Sequence, residues 1–454
     1  MTSPQNIALV GTVGLGRSGI AAVQFLAARG YGVLAWDRDK SKGSELTNLP
    51  GVELDHSCDP AEKLSRCQTV LLSPGVPRSH PCLKLALDKN IPVINDVEWL
   101  YRHSRNSVNP ADFIAITGTN GKSTVTTLVG LMLEKAKLKT KTGGNLGQAA
   151  LSLWQDDVEK YVLELSSFQL ESLPDFHPQT AALLNISPDH LDRYKSFEDY
   201  LDTKLNIFAN QSRQDHAVLN GDDPTLLAAY NALDKNFKAK ITFFSTQREI
   251  NGGFYLKDGQ LIDHRETSRR VLLDCQKLKI TGIHNQANAL AAAAIALAAG
   301  ASSRAVTETL ATFPGLDHRM EWVKTVDGVD YYNDSKGTNV GAVLESLVSF
   351  PNQQLVLIAG GRDKNSDFTP LKGLLKQHVS HLILIGEAAQ DMAQTFSNAT
   401  NIQKAGSMAD AVSTARQLAK PGGVVLLSPA CSSFDMFNNF EDRGDIFRKA
   451  VNEL

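Results

Sequence analysis

Short apolar runs recur along the chain, each closed by a glycine or a small polar residue and most followed by a longer apolar stretch. Residues 7–11 (IALVG) lead into Gly14-Leu15-Gly16-Arg17-Ser18-Gly19, then an apolar helix to about Ala28. A second strand at 32–36 ends at Asp37, residues 70–73 form a third that turns at Pro74-Gly75, and Val93-Ile94 form a fourth. Residues 113–116 (FIAI) read as a buried strand, and 125–133 (VTTLVGLML) are long enough for a helix. Further strands are predicted at 161–165, 181–186 and 217–220, then at 331–333, 355–359, 382–385 and 424–428, with helices between. Such alternation builds parallel sheets with helices on both faces. Polar residues 103–110 (HSRNSVNP) have linker composition. The pattern predicts an α/β chain of three consecutive domains, at 1–105, 106–313 and 314–454, each a largely parallel sheet flanked by helices.

The totals agree with that division. At 454 residues the chain is too long for one compact core, and roughly three domains is the prior. A net charge of −3 gives no basic footprint for nucleic acid. The longest apolar stretch, 289–301, is shorter than a membrane span and reads as a core helix. The first residues lack a basic segment ahead of an apolar core, so no signal peptide is expected. Cys58, Cys67, Cys82, Cys275 and Cys431 are scattered and form no CxxC pair, which argues against a disulfide framework or zinc site and for a reducing cytoplasm.

The chemistry is densest at 117–124 (TGTNGKST), between the 113–116 strand and the 125–133 helix. Strand, glycine turn, Lys-Ser/Thr and helix make a phosphate cradle, with backbone N–H groups and the positive helix end facing the anion. Lys122 would reach the outer phosphates of ATP, and Ser123 or Thr124 would join a Mg²⁺ shell. Gly118 and Gly121 are separated by two residues rather than four, so the turn is tighter than the usual loop. The run from Gly14 to Gly19 with Asp37 downstream is a diphosphate fingerprint that suits NAD or a nucleoside-diphosphate sugar equally.

Other candidates lie at strand ends, where ligands gather in an open parallel sheet. Glu164 can hold Mg²⁺ from the side opposite Ser123. Asp189, His190 and Asp192 suit a cation, although a loop of solvated charges would look the same. Lys204, in a helix-like stretch at 197–208, reads by its spacing as a surface lysine. Three polar turns, at 333–339, 360–364 and 428–435, imply one crevice. Arg319, beside His318 after Pro314-Gly315, could reach a phosphate.

With these residues together the chain resembles the Mur ligases, the ATP-dependent enzymes that build the peptide stem of bacterial cell-wall precursors. TGTNGKST is general to that superfamily and to folylpolyglutamate synthetases. More discriminating are Gly143-Gly144-Asn145-Leu146-Gly147, 163–170 (LELSSFQL), 189–194 (DHLDRY), 428–434 (SPACSSF) and Asn438-Asn439-Phe440, which resemble the branch that adds D-glutamate. The match runs in order over nearly the whole chain.

The resemblance implies a Rossmann-like N-terminal domain, a P-loop NTPase-like central domain and a Rossmann-like C-terminal domain. These would take the uridine nucleotide, ATP and the incoming amino acid in turn. The implied activity is ligation of D-glutamate to UDP-N-acetylmuramoyl-L-alanine through an acyl phosphate, in the cytoplasm, by a monomer that binds neither nucleic acid nor membrane. It turns the first glycine run into a UDP diphosphate cradle of Gly14, Leu15, Gly16, Arg17 and Ser18, with Asp37, Arg38, Ser73 and Gly75 lining the pocket. Asn145 would hold the substrate carboxyl. Two Mg²⁺ ions are implied, one on Ser123 and Glu164, the other on His190 and a carbamylated Lys204, which overrides the surface reading of that lysine. Gly118, Thr119, Asn120, Gly121, Lys122, Ser123 and Thr124 would cradle the ATP phosphates. Asn285, Asn288, His318, Arg319, Asp334 and Lys336 match the remaining ATP contacts. Thr338, Lys364, Ser433, Phe434 and Phe440 fall where the family holds D-glutamate. The chain departs from the family at the Asp37-Arg38-Asp39 turn, at Arg362-Asp363 and at Phe434, where leucine is commoner. A sister ligase, a folylpolyglutamate synthetase-like enzyme and a non-catalytic nucleotide sensor are the rival readings.

Overall fold

The computed structural model describes residues 8–190, 193–233, 238–280, 282–350, 353–363 and 366–454. Among the described residues twenty strands form three sheets. The first contains β1 (Leu9–Val13), β2 (Gly32–Trp36), β3 (Val52–Asp55), β4 (Thr69–Leu72) and β5 (Val93–Ile94), in the order β3-β2-β1-β4-β5. All its pairings are parallel. The second contains β6 (Asp112–Thr117), β7 (Thr140–Gly144), β8 (Lys160–Glu164), β9 (Thr180–Leu183), β10 (His216–Asn220), β11 (Lys240–Ser245), β12 (Gly253–Lys257), β13 (Gln260–His264) and β14 (Arg270–Asp274). Its order is β14-β13-β12-β11-β10-β9-β6-β8-β7. The third contains β15 (Glu321–Val326), β16 (Val329–Asn333), β17 (Leu355–Gly360), β18 (Val379–Ile385), β19 (Asn401–Lys404) and β20 (Val424–Leu427), in the order β15-β16-β20-β17-β18-β19. In the third sheet only β15–β16 is antiparallel. The fold is three α/β sheets in succession, as the alternation predicts.

Side-chain alternation explains the buried central strands. In β17, Leu355, Leu357 and Ala359 enter one core with Leu382 and Leu384, while Val356 and Ile358 enter the opposite core with Ile383 and Ile385. A strand apolar at every position therefore has helices on both sides. In the second sheet β12 and β13 form an antiparallel hairpin joined by Asp258 and Gly259, at φ +48° and +71°. Two left-handed residues give the turn whose twist matches a hairpin.

The chain packs as two compact units. One comprises Met1–Ile186, Glu198–Leu272 and Ala289–Thr309, and the other Ser187–Phe197, Leu273–Asn288 and Leu310–Leu454. The expected linker at 103–110 begins as the last turn of a helix, Asp96–Arg105. Asn95 caps it, acids occupy its first turn and Arg102, His103 and Arg105 its last, all favourable to the helix dipole. None of the five cysteines is in a disulfide. Among the described residues no helix is long and apolar enough to cross a membrane.

Candidate active site

In the first unit, β6 ends at Thr117 and the helix Lys122–Lys135 begins four residues after Gly118. Gly118 has φ +156° and Gly121, the helix N-cap, +79°. A Cβ on Gly118 would lie 3.1 Å from Leu184 Cβ, so the tight turn needs glycine there. Asn185, just beyond β9, holds the loop. Its Oδ1 accepts from the N–H of Thr119 (3.0 Å) and Asn120 (2.8 Å), and its Nδ2 donates to the Asn120 carbonyl (3.1 Å). Lys122 Nζ curls back to donate to the Gly118 and Thr119 carbonyls at 2.8 and 2.7 Å. Ser123 and Thr124 are buried in the first helical turn. A fixed turn, a lysine over it and a helix start aimed along it fit a polyphosphate.

Glu164 ends β8, which pairs with β6 on one side and β7 on the other. It is only 2% exposed. Asn145 donates its backbone N–H to the Glu164 carbonyl (2.9 Å) and its Nδ2 to Glu164 Oε1 (2.6 Å). A Cβ on Gly144, at φ +95°, would stand 2.6 Å from that carbonyl, so glycine permits the approach. Lys204 corrects the spacing argument. It is 2% exposed, and its Nζ donates to the Gly118 carbonyl (2.9 Å) and Thr117 Oγ1 (3.3 Å), beneath the phosphate loop. The helix Phe197–Leu205 turns it inward beside Tyr200, whose hydroxyl is 3.3 Å from Thr119 Oγ1.

The glycine-rich loop after β1 lies in the same unit. Gly14, at φ +88°, donates to the Trp36 carbonyl, and its own carbonyl accepts from Ser73 Oγ at 2.7 Å. Asp37 uses both oxygens on the chain itself, accepting from Leu15 N–H (2.6 Å) and Asp39 N–H (2.8 Å). Its role in the structure is to shape the loop. Cβ atoms built on Gly16 and Gly75 would meet no described atom within 4 Å, so the loop's outer face is open. Arg17, exposed at the start of the helix Arg17–Ala27, donates from Nη2 to the Asn145 carbonyl at 3.1 Å. Arg38 is exposed.

In the second unit, His190 has φ +53°, its N–H donates to Asp189 Oδ1 (3.0 Å), and its Nε2 is 3.7 Å from Asp189 Oδ2. Asp192 and Lys364 lie outside the described residues. Asn285 and Asn288 are buried one helical turn apart, with Asn288 Nδ2 donating to Asn285 Oδ1 at 3.2 Å. His318 is buried, and its Nδ1 is 3.0 Å from the Asn333 amide. Asp334 Oδ2 accepts from Ser346 and Ser428 hydroxyls, each at 2.7 Å. Burial drives its pKa up to about 6 despite those two hydroxyls. Lys336 Nζ stands 3.6 Å over the Phe440 ring. Thr338 and Arg319 are half-buried, Ser433 is buried, and Phe434 is 63% exposed.

The three polar turns do come together, through a residue that sequence reasoning missed. Arg443 is 0% exposed. It donates to Ser335 Oγ (3.0 Å) and the Ser335 carbonyl (2.8 Å), and to the carbonyls of Cys431 (3.1 Å) and Ser432 (3.3 Å). Burial lowers its pKa to about 10. Arg362 joins the third turn, exchanging backbone hydrogen bonds with Ser432 at 2.9 and 3.0 Å. Nothing in the local pattern around Arg443 separates it from a surface helix arginine. Asn185 was legible only as a residue near the end of the strand predicted at 181–186.

Among the described residues no three His, Cys, Asp or Glu side chains cluster to hold a metal by themselves. Mg²⁺ is ordinarily held by one or two carboxylates together with substrate phosphates. Buried Glu164 and Ser123 in the first helical turn suit that arrangement.

Known proteins match this arrangement piece by piece. Residues 8–95 match the Mur ligase MurD-like N-terminal domain, 116–296 the Mur ligase middle domain, and 318–431 the Mur ligase glutamate ligase domain. A UDP-N-acetylmuramoylalanine–D-glutamate ligase of Geotalea uraniireducens is 44% identical over 448 residues, covering 97% of this chain and 96% of that protein. The protein of the same description from Trichlorobacter lovleyi is 41% identical over 450 residues, covering 97% and 98%. The solved UDP-N-acetylmuramate-alanine ligase of Thermotoga maritima shares the fold, with a TM-score of 0.61 over 99% of this chain and 100% of that one at 18% identity. Three domain matches in chain order, covering most of the chain, together with the 44% identical relative, place this chain in the Mur ligase family.

Proposed function

We propose that the chain joins D-glutamate to UDP-N-acetylmuramoyl-L-alanine at the expense of ATP, a step of peptidoglycan precursor synthesis. The observation that carries the chemistry is the phosphate loop with Lys122 over it and a buried Glu164 clamped by Asn145 on the adjacent strand. The alanyl carboxylate oxygen attacks the γ-phosphorus and ADP leaves. The D-glutamate amine then attacks the acyl carbon of the mixed anhydride, loses a proton, and phosphate departs. Both steps bring anions together, so fixed positive charge and oriented donors must exceed the repulsion. Lys122 supplies charge at the outer phosphates, and the helix start supplies oriented N–H groups. Asn145 orients Glu164 and, on the family's pattern, the substrate carboxyl.

Bound Mg²⁺ would neutralise phosphate charge, with Ser123 and Glu164 holding one ion and His190 and a carbamylated Lys204 a second. Carbamylation would replace the ammonium of Lys204, which repels a metal ion, by an anionic carbamate that can ligate one. The N-terminal loop from Gly14 to Ser18, with Ser73 and Gly75, takes the UDP diphosphate. Asn285, Asn288, His318, Arg319, Asp334 and Lys336 take the rest of ATP. Thr338, Lys364, Ser433, Phe434 and Phe440 take D-glutamate. The chain works as a cytoplasmic monomer. Domain limits at 105/106 and 313/314 belong to the same reading.

The test is phosphate release from ATP with UDP-N-acetylmuramoyl-L-alanine, run in parallel with D-glutamate, L-glutamate, meso-diaminopimelate and L-lysine. Release that depends on D-glutamate alone is expected. Release with another amino acid would move the chain to a sister activity, and none with any of them would sink the reading.

A further inference from the structure

The diphosphate loop and the Glu164 carboxylate belong to different sheets, yet a short series of hydrogen bonds connects them. Arg17, at the start of the helix that the glycine loop opens, donates from Nη2 to the Asn145 carbonyl at 3.1 Å. Asn145 in turn donates twice to Glu164, from its backbone N–H to the carbonyl at 2.9 Å and from its side chain to Oε1 at 2.6 Å. The turn carrying Asn145 is built for this contact. Gly144 at φ +95° and Gly147 at +59° give it a left-handed path, and its amide is braced by Gly144 N–H donating to the Gln148 carbonyl at 2.8 Å.

A second connection runs in parallel. Buried Asn95, which caps the helix Asp96–Arg105, donates from Nδ2 to the Gln169 carbonyl at 2.6 Å. The Gln169 side chain accepts from Ser166 N–H at 3.0 Å, two residues beyond Glu164. On the same helix, buried Glu98 accepts from the N–H of Phe176 at 3.0 Å. Asn95, Gln169 and Glu98 are all shielded from water, so this link is a fixed reference. The link through Arg17 and Asn145 is exposed and is the one a ligand can alter.

We infer that Arg17 is a positioning residue that couples the two sites, so that a diphosphate bound on the glycine loop strengthens magnesium–nucleotide binding at Glu164. A guanidinium has five donors in a rigid fork. One of them holds Asn145, and others remain to meet an anion on the open face at Gly16. An anion there immobilises Arg17, Arg17 fixes the 143–147 turn, and Asn145 holds Glu164 Oε1 in place. The ordering cost is then met before the nucleotide arrives, which is positive cooperativity without a change of shape. Reciprocity requires the nucleotide to strengthen diphosphate binding by the same factor.

This inference rests on the proposed function, and the experiment separates the two. The dissociation constant of Mg–ADP is measured by calorimetry for the protein alone and again with UDP-N-acetylmuramoyl-L-alanine raised until its effect saturates. Their ratio within one protein is the coupling factor. One exposed link argues for the low end of typical couplings, about fivefold. In Arg17→Leu and in Asn145→Ala the ratio is expected to fall to within twofold of one, and melting temperatures verify that both variants are folded. A wild-type ratio near one, or ratios undiminished in both variants, overturns the coupling and leaves the proposed function standing. Failure of the wild type to bind Mg–ADP or the UDP compound removes both.

Discussion

Asn185 offers the sharpest test of how the phosphate loop is held. Its side chain makes three hydrogen bonds to the loop backbone, at 3.0, 2.8 and 3.1 Å. Asn185→Ala removes all three without substituting any residue expected to contact nucleotide. The losses are unequal. Thr119 N–H keeps a second acceptor, the Asn185 backbone carbonyl at 3.1 Å, so its loss is small. The N–H and carbonyl of Asn120 lose their side-chain partner, and that residue is half-buried, so water replaces it only in part. At about 1 kcal/mol for each Asn120 bond and about half that for Thr119, the loop's cradle shape loses about 2–2.5 kcal/mol. If that destabilisation falls on the binding-competent shape, Mg–ADP affinity drops by about 30- to 70-fold, since about 1.4 kcal/mol is tenfold. Calorimetric titration of Mg–ADP measures this directly, with binding of the UDP compound as the control. An affinity within threefold of wild type would refute the claim that Asn185 maintains the cradle. An equal loss of UDP-compound binding would show general damage instead.

Three further outcomes are expected. Lys204→Ala should abolish turnover, with partial rescue by short carboxylic acids that supply the missing oxygen ligands; unchanged activity would remove Lys204 from the metal site. Asp334 has its pKa raised to about 6 from 3.8 by burial, so its contribution to stability is complete below about pH 4 and lost as pH rises through about 6. In denaturant melts from pH 4 to 7, wild type should therefore lose stability relative to Asp334→Asn as pH rises through that window, and a difference independent of pH would contradict the shift. Phe440→Leu removes the ring beneath Lys336, and KM for ATP is expected to rise about two- to thirtyfold, with Phe440→Tyr near wild type; a change confined to KM for D-glutamate would assign the ring to the amino acid alone.

The sequence alone determined the alternation of strands and helices, because central parallel strands are apolar throughout. It also located the chemistry, because a phosphate loop is local: Gly118, Gly121 and Lys122 lie within five residues, and their roles follow from backbone geometry. Its limits fall where structure is decided by neighbours. Of the six sheet edges, β3, β7, β14, β15 and β19 were not predicted, and only β5 was. Edge strands such as β3 (VELD) and β19 (NIQK) carry polar residues that blunt pairing with other chains, so their pattern is weak and the adjacent ladder makes them strands. The β12–β13 hairpin was legible in principle, since Asp-Gly between paired runs is a strong turn signal. Burial of Lys204, the grip of Asn185 on the phosphate loop and the contact of Arg17 with Asn145 depend on segments brought together across 86, 65 and 128 positions of the chain. A side chain's partner across such a separation is set by how the strands are ordered in the sheet, and strand order leaves no periodic trace in the sequence.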